Sequence, residues 1–136
     1  MRPRRVAVIG DGGWGTGLSL LLAGKGCAVR LWGAFPDYIE EMQRRGENVK
    51  FLPGIPLSEG VELTGDLAAA VAGAELLVMA VPAQFMRGVL RRLARCYPRG
   101  GAHCRQWAPV VSVAKGIENR TLLRPTQVVA DVLGRV

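Results

Sequence analysis

The sequence predicts an α/β protein built on a doubly wound parallel sheet, and three observations carry that expectation. Short apolar runs alternate with stretches of helical spacing along the chain, the pattern of strands joined by crossover helices. The run Glu75 to Val81 is almost wholly apolar, as suits a strand covered on both faces. The first apolar run leads into a glycine-rich turn, Gly10-Asp11-Gly12-Gly13-Trp14-Gly15-Thr16, where a helix should begin.

The elements follow in order. Strand-length runs occur at Val6 to Ile9, Ala28 to Trp32, Val61 to Leu63, Leu76 to Val81 and Val110 to Ala114. The first helix should place Leu18, Leu21 and Leu22 on one apolar face, with Gly15 and small residues close to the sheet, and stop at Gly24 and Gly26. A second helix is expected from Asp37, read as its N-cap after Pro36, through Ile39 and Met42 towards Arg45. Between Gly46 and Gly60, Pro53-Gly54 and Pro56 break both periodicities, so this segment reads as a loop. Asp66 suits the cap of a short alanine-rich helix, and Phe85, Val89, Leu90 and Leu93 mark an amphipathic helix from Gln84 that Pro98 closes. A fifth strand and a last helix complete the chain. Right-handed crossovers bring three segments to the carboxyl ends of the strands: the glycine turn, Val81-Pro82-Ala83-Gln84-Phe85 and Lys115-Gly116.

With 136 residues the chain reads as one domain, 1–136, short for an enzyme with separate cofactor and substrate domains. The formal charge of +7 favours phosphate-bearing ligands, while the scatter of its arginines argues against a nucleic-acid surface. No apolar run reaches the roughly 18 residues of a membrane span, and the basic start is not a signal peptide, so a cytoplasmic location is expected. The three cysteines, Cys27, Cys96 and Cys104, lack metal-ligand spacing, and His103 beside Cys104 reads as a loop residue; no metal site is expected.

The glycine turn carries the chemistry. Gly10 suits a tight turn, Gly12 close approach of backbone to a pyrophosphate, and Gly15 close packing of helix on strand, so the pattern in this context implies a Rossmann-like dinucleotide site. The usual selector of NAD or NADP, an acid or an arginine about 20 residues further on, is absent: the second strand ends Leu31-Trp32-Gly33-Ala34-Phe35. The cofactor is therefore read as NAD or NADP. Asp11 would repel a pyrophosphate, so its side chain is expected to point outward.

Five segments together resemble the N-terminal, cofactor-binding domain of NAD(P)-dependent glycerol-3-phosphate dehydrogenases. They are Gly10 to Thr16, Val29-Arg30-Leu31-Trp32-Gly33, Asn48 with Phe51-Leu52-Pro53-Gly54, Ala80 to Gln84, and Ala114-Lys115-Gly116-Ile117-Glu118. The resemblance implies hydride transfer between dihydroxyacetone phosphate with NAD(P)H and sn-glycerol 3-phosphate with NAD(P)+, supplying glycerophospholipid precursors. It implies cofactor contacts at Gly10, Gly12, Gly13, Trp14, Gly15, Ala34, Pro82, Phe85 and Lys115, with Lys115 also reaching the substrate. Trp14 and Phe85 would cover nicotinamide or ribose and exclude water, although both also suit ordinary packing.

Family members carry a helical C-terminal domain with the general acid–base lysine and much of a homodimer surface. No such domain is read in this chain, so no catalytic residue is assigned and the chain alone is expected to be inactive. Departures from the family pattern include Asp11, Gly13, Gly17 at a helix position, Ala34, which weakens the case for NADP, and a longer connector from Arg99 to Trp107. A stand-alone NAD(P)-binding module or redox sensor is the competing reading. A different two-domain dehydrogenase on the same fold is a third.

Overall fold

The computed structural model describes residues 4–96 and 108–134. The connector with His103 and Cys104, and the proposed helix stop at Pro98, lie outside the described residues.

Strand β1 (Arg5–Ile9) feeds helix α1 (Gly13–Gly24), and β2 (Ala28–Trp32) feeds α2 (Pro36–Arg45). A small antiparallel hairpin follows, β3 (Glu47–Asn48) with β4 (Leu52–Pro56). Then come β5 (Val61–Thr64), α3 (Leu67–Val71), β6 (Leu76–Met79), α4 (Ala83–Cys96), β7 (Val110–Ser112) and α5 (Pro125–Leu133). The five-stranded sheet has the order β5-β2-β1-β6-β7, and every neighbouring pair is parallel. The chain winds outward from β1 in one direction and then in the other, so the crevice at the carboxyl ends of β1 and β6 is the switch point.

Alternation along the strands divides the core into two layers. Ala7 and Ile9 of β1 face α3, α4 and α5, together with Trp32, Leu77, Met79, Met86 and Leu90. Val6 and Val8 face α1 and α2, together with Leu31, Ile39, Met42, Leu63 and Val78. Trp32 is fully buried, with its indole Nε1 donating to the Gly65 carbonyl at 3.1 Å and the Arg92 guanidinium over its ring.

Several local expectations need correction. Leu18 and Leu22 of α1 pack against the core as expected but only in part, while Leu21 is 55% exposed; the fully buried positions of the helix are the small residues Gly15, Thr16 and Ser19, where it lies closest to the sheet. Helix α2 begins two residues earlier than expected, with Phe35 rather than Asp37 at the N-cap and Pro36 in the first turn. Asp37 therefore makes no cap hydrogen bond and instead faces the helix dipole from the first turn. The segment from 46 to 60 is an ordered hairpin, held in part by Gly54 N–H donating to the Glu47 carboxylate. Asp66 does cap α3, accepting from the Ala68 and Ala69 N–H groups, and α1 does end at Gly24 with Gly26 at a positive φ.

Candidate functional site

The glycines of the first turn meet three different surroundings. Gly10 has φ +121°, and a Cβ there would lie 2.7 Å from the Ala80 carbonyl oxygen at the end of β6. A Cβ on Gly15 would lie 1.9 Å from the Gly10 carbonyl oxygen, so α1 reaches the turn only through a glycine. Gly13 is equally confined: its Cβ would lie 2.5 Å from the Phe51 carbonyl oxygen of the hairpin. Gly12 differs from all of these. Its backbone is ordinary extended chain at φ −64°, and a Cβ there meets nothing within 4 Å. No contact within the described residues demands glycine at position 12.

Gly12 is also the N-cap of α1 and offers no side chain to cap it. The first backbone bond of the helix is Thr16 N–H to the Gly12 carbonyl, at 2.9 Å. The N–H groups of Gly13, Trp14 and Gly15 precede that bond and have no partner four residues back. The turn is thus a positively polarised rim with open space in front of it.

Asn48 holds this turn in shape. It is fully buried, and its Nδ2 donates to the Asp11 carbonyl at 2.7 Å and to Thr16 Oγ1 at 2.8 Å. Its Oδ1 accepts from the Tyr38 hydroxyl at 2.6 Å and from Phe51 N–H at 3.2 Å. One amide side chain therefore joins the turn, α1, α2 and the hairpin. Sequence reasoning quoted Asn48 only as part of a motif and gave it no role, since its partners are far apart in the chain.

Asp11 does not point outward as expected. Its Oδ2 is buried, has no hydrogen-bond partner among the described residues, and lies 2.5 Å from where a Cβ on Gly33 would be. The empty side-chain position at Gly33 is the space that lets it turn in. Burial raises the pKa of this carboxyl above the ordinary aspartate value, opposed by its own backbone N–H and by Lys50.

The remaining candidates border the same end of the sheet. Ala34 follows β2 and is exposed. Pro82 is exposed ahead of α4, and Phe85 in the first turn of α4 is 67% exposed. Trp14 opens α1 at 65% exposure. Lys115 is exposed in the loop after β7. The structure ties the β7 loop to α4: Gln84 Nε2 donates to the Ile117 carbonyl at 2.8 Å, and Gln84 Oε1 accepts from Asn119 N–H at 2.9 Å. Below it, the Arg87 guanidinium grips the Glu118 carboxylate at 2.8 and 2.9 Å and also pairs with Asp131. Arg87, then Thr121, pull the Glu118 pKa down to about 2. The Lys115 loop is thereby fixed to the start of α4, while Gly10 of the glycine turn abuts Ala80 at the end of β6.

Among the described residues no group of histidine, cysteine and carboxylate side chains is arranged to hold a metal ion. No helix among them is long and apolar enough to cross a membrane.

Residues 5–136 match the family model described as the NAD-dependent glycerol-3-phosphate dehydrogenase N-terminus. A glycerol-3-phosphate dehydrogenase (NAD(P)+) of Syntrophomonas wolfei is 44% identical over 131 residues, which is 96% of this chain and 36% of that protein. Its counterpart in Desulfotalea psychrophila is 45% identical over 128 residues, 94% of this chain and 36% of that protein. The crystal structure of the Coxiella burnetii glycerol-3-phosphate dehydrogenase superposes with a TM-score of 0.84 at 33% identity, covering 98% of this chain and 38% of that one. The chain thus spans little more than a third of the length of these relatives.

Proposed function

Because the chain belongs to the NAD-dependent glycerol-3-phosphate dehydrogenase family, matching its N-terminal part, we propose that it holds a nicotinamide dinucleotide across the carboxyl ends of β1 and β6. It does so for an enzyme interconverting dihydroxyacetone phosphate and sn-glycerol 3-phosphate. The observation that carries this reading is the contrast within the turn. Gly10, Gly13 and Gly15 are demanded by the fold, whereas Gly12 faces open space at the N-terminus of α1 and answers only to something from outside the chain.

The residues present fit such a group. The N–H groups of Gly13, Trp14 and Gly15 would receive its pyrophosphate, and Gly10 and Gly15 let turn and helix close on each other to form that cradle. Ala34 would border its adenosine end beside Gly33. Pro82 and Phe85 from β6 to α4, with Trp14 opposite, supply flat apolar surface that keeps water from the reacting end. When bound, the nicotinamide supplies or accepts the hydride. Lys115, exposed in the loop after β7, would bring an ammonium to the carboxyl end of the sheet, suited to the substrate phosphate or to charge developing on the substrate oxygen. Gln84 and the Arg87–Glu118 pair act on Lys115 through the loop that carries it. We assign no proton donor within the chain, and we expect these residues alone to bind cofactor while reducing dihydroxyacetone phosphate poorly.

Calorimetric titration with NADH tests the reading. Wild type should saturate at one site, whereas Gly12→Val should abolish binding and leave the chain folded, at the modest cost of a poorer helix cap, because a Cβ there meets no protein atom within 4 Å. Gly15→Ala should instead lower the melting temperature. Undiminished binding by a folded Gly12→Val chain would refute the proposed site.

A further inference from the structure

In dinucleotide folds an arginine near the end of the second strand accommodates the 2′-phosphate of NADP, while an acid there holds the ribose hydroxyl of NAD. Here that stretch is Gly33-Ala34-Phe35, with neither. The fold brings a cation towards it from elsewhere in the chain. Lys50 lies in the turn between β3 and β4; its backbone N–H donates to the Tyr38 hydroxyl at 3.0 Å, and its Nζ lies over the Tyr38 ring, 4.1 Å from the centroid. Tyr38 is buried in the first turn of α2, and its own N–H donates to the Phe35 carbonyl at 3.1 Å, so the ring is anchored to the stretch that follows β2. The next hairpin residue, Phe51, sets its carbonyl against Gly13 of the glycine turn, and Asn48 joins Tyr38 and Phe51 to the Asp11 carbonyl. The Lys50 ammonium thus stands beside the first turn of α2, near enough to the Asp11 carboxyl, which lies against Gly33, for the two charges to act on each other.

Two further observations suit a ligand role for this group. Lys50 is exposed and makes no ion pair among the described residues, so its ammonium keeps N–H donors for a partner from outside the chain, while the ring beneath holds the charge in place without neutralising it. Asp11 is the acid that opposes a phosphate here, but its Oδ2 is buried, so an arriving ligand reaches the ammonium rather than that oxygen.

Building on the dinucleotide reading above, we infer that Lys50 takes the 2′-phosphate of NADP, so that this chain accepts that cofactor through its hairpin and not through its second strand. Ala34 is exposed and carries only a methyl group, which leaves the approach along the end of β2 open. A lysine acts there as a point charge with rotatable donors, and needs no matched fork geometry to meet a phosphate. NAD offers a neutral hydroxyl at the same place and owes Lys50 little.

The test is calorimetric titration of the full chain with NADPH and NADH, and with adenosine 2′,5′-bisphosphate and adenosine 5′-monophosphate as probes of the adenosine end alone. Wild type, Lys50→Met and Lys50→Arg are compared, with thermal melts alongside. Lys50→Met should weaken NADPH and the bisphosphate by about tenfold or more, and NADH and the monophosphate by no more than about twofold. Lys50→Arg keeps the charge and should restore most of the lost affinity. An equal loss for NADPH and NADH in a folded Lys50→Met chain assigns the lysine to the shared pyrophosphate or to the shape of the hairpin, and overturns the inference. An unchanged NADPH affinity overturns it too, as does a wild type that binds NADH but not NADPH. All three results leave the dinucleotide reading standing. Failure of wild type to bind either cofactor overturns the site itself, and the role of Lys50 with it.

Discussion

Replacing Asn48 with alanine strikes the one side chain on which the turn, α1, α2 and the hairpin converge. Four hydrogen bonds vanish, but their losses are unequal. The Asp11 carbonyl and Thr16 Oγ1 already lie 3.3 Å apart and can satisfy each other. The Tyr38 hydroxyl keeps its donor from Lys50 N–H yet loses the acceptor for its own proton, and Phe51 N–H loses its acceptor outright. Two stranded donors at about 1–3 kcal/mol each give a loss of about 3 kcal/mol, before any cavity cost. For a domain of this size that corresponds to a fall of about 10 °C in melting temperature. Urea denaturation of wild type and Asn48→Ala measures it. A cycle with Tyr38→Phe sharpens the test, because without the hydroxyl proton the Asn48→Ala cost should drop by about 1 kcal/mol. A loss below about 0.5 kcal/mol, or strict additivity with Tyr38→Phe, would show that the network is not what holds the turn.

Two further outcomes are expected. Gly17 lies inside α1, and a Cβ there meets nothing within 4 Å, so Gly17→Ala should raise stability by about 0.5–1 kcal/mol in the same denaturation assay; a destabilised variant would contradict the packing described for α1. Glu118 has a folded pKa of about 2 against an ordinary value of 4.5, so its stabilising contribution is complete above pH 4.5 and is lost as pH falls towards 2. Acid titration should show wild type losing more stability across that window than Glu118→Gln, the two curves converging at the acid end; parallel curves would refute the assignment.

The strands, the glycine turn and most helix limits were legible in the sequence because each rests on neighbours along the chain. Ala7 and Ile9 alternate with Val6 and Val8, and Asp66 precedes the N–H groups it caps. What escaped depends on space. Apolar spacing marked Leu21 for burial with Leu18 and Leu22, yet Leu21 is exposed, and the fully buried positions of α1 are the small residues Gly15, Thr16 and Ser19. The prolines between 46 and 60 signal a break in periodicity but carry no sign that Asn48 would reach back to Asp11. The aim of Asp11 follows from an absent side chain at Gly33, a fact about volume rather than pattern. Of the candidate site, the glycines could be read and the polar side chains that position them could not.

The division of the core by the sheet bears on how such a sequence can drift. Among the described residues, those of α1 and α2 pack in one buried cluster and those of α3, α4 and α5 in another, with the strands contributing to both. Substitutions on opposite faces should therefore sum in their effects, while those on one face must be accommodated together. The layer of α1 carries the glycine turn and, with the hairpin, has little latitude. The layer of α4 and α5 has latitude only beyond Gln84, Phe85 and Arg87, which border or brace the ligand end of the sheet, so lineages descending from this chain should diverge unevenly along its helices.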